Sequence, residues 1–236
     1  MMLRQIKEDI DVALEKDPAA RNALEVFILY PGVHALIAYR FNHWLWGLGF
    51  KFIARSLSQF ARWVTGIEIH PAAIIGKRFF IDHGMGVVIG ETSEVGDNVF
   101  VYQGVTLGGL ATKKGKRHPT ISNDVVIGAG AKVLGPIKVG CNTKIGSGSV
   151  VLQDVPEYST VIGVPGRVVF SGISSEMEDE DGPESFPDPV ARAIECMLDR
   201  LPEMEKEIRH LKETLKENGI CDSFPIEEKT RKKITG

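Results

Sequence analysis

Ile121-Ser-Asn-Asp-Val-Val-Ile127-Gly-Ala-Gly-Ala-Lys-Val133-Leu-Gly-Pro-Ile-Lys-Val139-Gly-Cys-Asn-Thr-Lys-Ile145-Gly-Ser-Gly-Ser-Val-Val151 carries an aliphatic residue at every sixth position without a break. The same step appears upstream at Ile69, Ile75, Ile81 and Val87, then at Ile89, Val95, Val101 and Leu107. Glycine often follows, as at Gly76, Gly90, Gly96, Gly128, Gly140 and Gly146. A helix repeats near 3.6 and a strand at 2, so neither sustains a six-residue phase. A hexapeptide repeat of this kind signals a β-helix. Each hexad supplies a short strand and a corner, and three hexads close one triangular coil. The aliphatic side chain points inward, and small residues fill the tight corners. Stacked coils then form parallel sheets with strands about 4.8 Å apart.

Two interruptions stand out. The phase slips by two residues between Val87 and Ile89. It is broken again by residues 108–119 (GGLATKKGKRHP), which are too polar and glycine-rich to form a coil and should project as a loop. Loops carried on a rigid scaffold are favoured places for binding groups.

The flanks follow other patterns. Ile6, Ile10, Ala13 and Leu14 fall at helical spacing, as do Leu24, Phe27 and Ile28, and then Val33, Leu36, Ile37, Arg40, Phe41 and Trp44. Asp17-Pro18 reads as a helix start, and Pro31 as a first-turn proline. Beyond the repeat, Ser174 to Glu184 is an acidic linker. Ile194, Leu198, Leu201, Met204, Ile208, Leu211 and Leu215 then mark an a/d stripe for one more helix. The expected architecture is α+β. It comprises a helical domain over 1–65, a parallel β-helix over 66–170, and a linker, C-terminal helix and tail over 171–236.

Composition narrows the function. A net charge of −3 gives no basic footprint for nucleic acid. Cys141, Cys196 and Cys221 are odd in number and lack CxxC spacing, which suits a reducing cytoplasm and no disulfide framework. The N-terminus lacks an apolar signal core. The stretch from Val33 to Phe60 is broken by charged residues and histidines, so no membrane span is expected. There is no P-loop, GxSxG elbow or HExxH motif.

Six histidines are candidates for acid–base work: His34, His43, His70, His83, His118 and His210. His83 follows Asp82 at a corner that would ordinarily hold a small residue, which favours a functional role. Arg117-His118 ends the excursion; it reads either as a solvated turn or as a grip for a carboxylate. His70, before Pro71, stays open between a corner role and catalysis. His34, His43 and His210 lie on expected helices, where packing or solvent is the default.

Several stretches resemble the bacterial serine O-acetyltransferases in order and spacing. They are Ile67-Glu-Ile-His-Pro-Ala-Ala-Ile-Ile-Gly76, Asp82-His-Gly-Met-Gly-Val-Val-Ile-Gly-Glu-Thr92, Val105-Thr-Leu-Gly-Gly109, Arg117-His-Pro119, Ile127-Gly-Ala-Gly-Ala-Lys-Val-Leu-Gly135 and Gly163-Val-Pro-Gly-Arg167. The helical segment Gly32-Val-His-Ala-Leu, Ala38-Tyr-Arg40 and His43-Trp-Leu-Trp46 agrees too. The likeness spans roughly residues 15 to 170. It implies a left-handed β-helix and acetyl transfer from acetyl-CoA to the L-serine hydroxyl, with acetyl-CoA as co-substrate and no cofactor or metal. It also implies His83 as general base with Glu68 as its acid partner, a position where many members carry Asp. Asp17 and Asp82 match residues that grip the serine ammonium, and Arg117 and His118 match those near its carboxylate. Gly109, Ala129 and Lys144 match acetyl-CoA contacts.

The family's better-known members carry a longer N-terminal extension that joins two trimers. Here the helices begin about 16 residues before Asp17, so a homotrimer with sites between neighbouring solenoids is expected. In the family a tail ending in Ile engages O-acetylserine sulfhydrylase, whereas this chain ends Lys-Ile-Thr-Gly. Competing readings are a hexapeptide acetyltransferase for a sugar, antibiotic or homoserine, a zinc lyase of the γ-carbonic anhydrase type using His70, His83 and His118, and a non-catalytic scaffold.

Overall fold

A computed structural model describes residues 2–171 of the chain. Four helices come first: α1 (Met2–Lys16), α2 (Ala23–Leu29), α3 (Pro31–Gly47) and α4 (Lys51–Thr65). Pro31 opens α3, as its fixed φ and missing N–H allow. Asp17-Pro18 does not start a helix. The Asp17 carboxylate accepts from the Ala19 amide at 2.8 Å and closes a turn, while Asn22 caps α2 through the Glu25 amide. No single helix among the described residues is long and apolar enough to cross a membrane.

Fifteen short strands follow. The first coil holds β1 (Glu68–Ile69), β2 (Ile74–Ile75) and β3 (Phe80–Ile81). The second holds β4 (Val88–Ile89), β5 (Glu94–Val95) and β6 (Phe100–Val101), and the third β7 (Thr106–Gly108), β8 (Thr120–Ile121) and β9 (Val126–Ile127). The fourth holds β10 (Lys132–Leu134), β11 (Lys138–Val139) and β12 (Lys144–Ile145). Finally β13 (Val150–Val151), β14 (Ser159–Ile162) and β15 (Arg167–Ser171) close the solenoid. Strands three apart pair in parallel as far as β13, and β14 pairs with β12, giving a first face β1-β4-β7-β10-β13, a second β2-β5-β8-β11 and a third β3-β6-β9-β12-β14. β15 caps the third face antiparallel to β14.

The interior takes two residues from each hexad. Ile69, Ile89, Leu107, Val133 and Val151 point inward from the first face, while Ile67, Val87, Val105 and Ala131 enter from two positions earlier. Val87 therefore belongs to the second inward row, and the phase slip has a location. β1 to β4 spans twenty residues (Glu68 opposite Val88) and β4 to β7 eighteen (Val88 opposite Thr106). The two extra residues sit in the 82–86 turn.

Outward residues on the first two faces mix charged with neutral side chains, as at Glu68, Thr106, Lys132, Glu94 and Thr120, but β3 and β6 present Phe80 and Phe100, both buried. These rings, 5.0 Å apart, pack with Val12, Ala13, Val26 and Val33 of the helices. Gly32 lets α3 lie against β3, since a Cβ there would meet Ile81 O at 2.3 Å. A buried pair, Arg40 to Asp9 at 2.6 and 2.8 Å, ties α3 to α1. The helices are thereby anchored on the third face, which sets Asp17 beside the turn that follows β3. The expected C-terminal helix, the acidic linker and the tail lie outside the described residues.

Candidate active site

The chemistry-bearing residues fall into two clusters on different corners of the solenoid. One corner joins the third face to the first and carries the turn 82–86. The other joins the first face to the second and carries residues 70–73, 90–93 and 109–119 in successive coils.

At the first of these corners His83 adopts a left-handed backbone, φ 56°. Arg78, Asn98, Asp124, Asn142 and Tyr158 share that backbone at other turns of the solenoid, so the conformation belongs to the tight corner and the role of His83 rests on its side chain. His83 Nε2 stands 3.8 Å from Asp82 Oδ2, and the His83 side chain is 75% exposed. The Asp17 carboxylate accepts from Tyr30 Oη at 2.5 Å. Burial first, then the Asp17 charge, pushes the Asp82 carboxyl above its ordinary value, against the pull of His83. Burial and the Asp17 bond likewise push the Tyr30 phenol up to about 12. Two mutually repelling carboxylates at one corner make a site that a small cation would relieve. Ala129 lies at the same corner two coils along, and Lys144 projects from β12 on the third face.

The second corner is organised around His118, of which 7% is exposed. The excursion leaves β7 at Gly109, stays exposed to residue 116, then turns inward at Arg117 and His118. Arg117 Nη2 binds Glu91 Oε2 at 2.6 Å. His118 Nδ1 faces Thr92 Oγ1 at 2.9 Å. Burial first and then the Arg117 charge lower the His118 pKa from its ordinary value. His70 sits nearby with its ring edge-on to Trp46 at 5.2 Å, and burial lowers its pKa too.

Glu68 is engaged elsewhere. Its carboxylate binds Arg55 at 3.0 Å and Arg62 at 3.1 Å, both on α4, and no bond joins it to His83 among the described residues. The carboxylate beside His83 within one chain is Asp82. Nor does any group of three or more His, Cys, Asp or Glu among the described residues form a metal cage, since His83 is on a different corner from His70 and His118.

Comparison with known proteins bears on what this arrangement serves. Residues 118–153 match the family described as bacterial transferase hexapeptide (six repeats). A serine acetyltransferase of Bacillus licheniformis is 56% identical over 216 residues, covering 92% of this chain and 96% of that protein. This chain belongs to the serine acetyltransferase family. A serine acetyltransferase of Neisseria gonorrhoeae, solved in complex with serine, has a TM-score of 0.68 at 42% identity over 70% of this chain and 68% of that one. Another serine acetyltransferase, solved in complex with CoA, has a TM-score of 0.66 at 41% identity over 71% and 69% of the two chains. The solenoid is thus the left-handed β-helix of this family.

Against that family background, a single chain gathers Asp17, Asp82, His83 and Ala129 on one corner and Gly109, Arg117 and His118 on another. Sequence reasoning assigned no role to Glu91 or Thr92, although both lie in the quoted stretch ending at Thr92. They contact Arg117 and His118 from 26 residues away, one coil plus the excursion. Tyr30, which orients Asp17, and Arg55, which engages Glu68, carried no motif at all.

Proposed function

We propose that the chain transfers the acetyl group of acetyl-CoA to the L-serine hydroxyl, giving O-acetyl-L-serine and CoA. This would be the opening step of cysteine biosynthesis, in the cytoplasm. His83 Nε2 takes the serine Oγ proton as the oxygen attacks the thioester carbonyl. The tetrahedral intermediate then collapses, the C–S bond breaks, and His83 returns the proton to the CoA sulfur. Asp82 steadies the imidazolium. Asp17 and Asp82 receive the serine ammonium, and Arg117 and His118 receive its carboxylate. Gly109, Ala129 and Lys144 contact acetyl-CoA, the small residues leaving room for the pantetheine arm.

One observation carries the assembly that this chemistry needs. A base whose side chain is 75% exposed is open to bulk water, and its carboxylate-gripping partners lie on another corner of the same prism. We infer a homotrimer in which the His83 corner of one chain faces the Arg117 corner of the next. Each site is then closed to water and completed across the interface.

Complementation tests this directly. His83→Asn and Arg117→Ala are each expected to be inactive, and mixing them as co-assembled chains restores about a quarter of the sites under random assembly. Co-assembled but inactive mixtures would refute the shared site. Thiol release from acetyl-CoA with serine, homoserine and sugars tests the acceptor. Turnover of a sugar without turnover of serine would overturn the serine assignment.

A further inference from the structure

Thr92 holds the corner cluster through one oxygen atom. Its Oγ1 accepts from the Arg117 amide at 3.0 Å and from the His118 amide at 3.1 Å, and lies 2.9 Å from His118 Nδ1. A hydroxyl oxygen has two lone pairs and one hydrogen. The two amides occupy both lone pairs, so the hydrogen is left for Nδ1. The Thr92 amide also donates to Nδ1, at 3.2 Å. Two donors converging on one ring nitrogen require that nitrogen to be bare, and a neutral imidazole then carries its proton on Nε2.

We propose that Thr92 is a positioning residue, fixing His118 in the Nε2–H tautomer so that it offers a neutral donor to a carboxylate oxygen of the acceptor. Nε2 has no hydrogen-bond partner among the described residues, and it is not among the sealed, unpartnered polar atoms, which are Ser93 Oγ and Asn98 Oδ1. The ring is held in place by Gly90, which it overlies so closely that a Cβ there would meet Nε2 at 2.1 Å. Its direction is therefore set before any ligand arrives. The charged neighbours Arg117, Lys116 and Glu91 add little ambiguity. Two positive groups and burial disfavour a second ring proton, Glu91 alone favours it, and the lowered pKa agrees with the geometry. Arg117 supplies charge to the acceptor carboxylate while His118 supplies direction, a division suited to an α-amino acid.

The assignment rests on serine being the acceptor, but the tautomer can be measured without it. Ring ¹⁵N shifts of His118 in the unliganded wild-type protein should show a bare Nδ1 and a protonated Nε2 near neutral pH. A proton on Nδ1 would overturn the proposal. Thr92→Ser, which keeps the hydroxyl, should hold kcat/KM for serine within about twofold of wild type. Thr92→Val, which loses it, should lower kcat/KM about tenfold and weaken the tautomer preference. Equal activity in the two variants would overturn the positioning role. Should Thr92→Val fail to assemble, His118→Gln and His118→Asn replace it. A glutamine amide reaches the Nε2 position and an asparagine amide the Nδ1 position, so the glutamine variant should retain more activity; the reverse order would refute the tautomer. If wild type does not acetylate serine at all, the serine reading fails while the ring-nitrogen result still decides the tautomer.

Discussion

Gly90→Ala offers a narrow test of the second corner. Gly90 is absent from the residues with left-handed backbone, so alanine fits its φ and ψ without strain. The only change is one methyl group, and its place is taken. A Cβ at this position would stand 2.0 Å from His118 Cδ2, 2.1 Å from Nε2 and 2.9 Å from Cε1. Carbon atoms prefer a separation of about 3.5–4.0 Å, so the ring must retreat by about 1.5 Å or more. The Nδ1 bonds to Thr92, now 2.9 and 3.2 Å, cannot survive that displacement. Overpacking of this kind costs about 1–3 kcal/mol, and each of the two lost hydrogen bonds about 1 kcal/mol, so unfolding free energy should fall by about 3–5 kcal/mol. A donor displaced by more than about 1 Å is expected to lower kcat/KM for serine roughly a hundredfold.

The assays are urea unfolding and thiol release with serine varied at saturating acetyl-CoA. Gly47→Ala serves as control: a Cβ there meets nothing within 4 Å, and it closes α3, so stability should hold or rise by up to about 1 kcal/mol. A double-mutant cycle isolates the cause. In a His118→Ala background the methyl group has room, and Gly90→Ala should then cost no more than about 0.5 kcal/mol. An undiminished cost in that background, or wild-type kcat/KM in the single variant, would show that the ring contact does not govern the corner.

His83→Asn should lower kcat by roughly 10²- to 10⁴-fold with an unchanged melting transition, because asparagine tolerates the φ of 56° that this corner demands. Retention of turnover would remove His83 from the role of base. The pKa values of His70 and His118 both fall on folding, so the unfolded chain binds more protons below the ordinary imidazole value of about 6.5. Stability should therefore decline as pH drops from about 7.5 to 5.5, and His70→Asn combined with His118→Gln should flatten the decline; equal slopes in urea midpoints would refute the linkage.

What could be read in advance follows from how each feature is encoded. The solenoid is legible because every hexad repeats one physical requirement, an aliphatic side chain filling a narrow core, and all the sixth-position residues named in the sequence lie buried in that core except Ile75, which packs against it. Val87 shows the limit. The core accepts two residues per hexad, so a two-residue insertion hides as a change of row, and the slip was placed after the turn that contains it. Asp17-Pro18 had the composition of a helix start, yet the carboxylate is used in a turn and by Tyr30, and Asn22 performs the capping. The contacts of Glu91 and Thr92 with Arg117 and His118 were hidden for a different reason. Vertical neighbours on a β-helix are one coil apart, eighteen residues where the repeat is regular, but here Glu94 lies opposite Thr120, a step of twenty-six. The eight added residues lie within the excursion, and its length gives no pairing until one knows that the chain returns to the same corner.

The two breaks in the repeat have a common logic. An unbroken hexad turns its corner in a few residues, as at 76–79 and 96–99. The insertion at 82–86 and the excursion at 109–119 each enlarge one corner, and each enlarged corner carries a histidine with a charged neighbour. The corners flank the same first face, whose strands are locked in register by parallel pairing from β1 to β13. Neither corner can swing toward the other without breaking those ladders. A second chain can bring its own copy of the missing corner without any such cost. The contact this requires sets one corner type of a chain against the other corner type of its neighbour. The proposed homotrimer repeats this contact around a ring, so that every base finds its carboxylate grip.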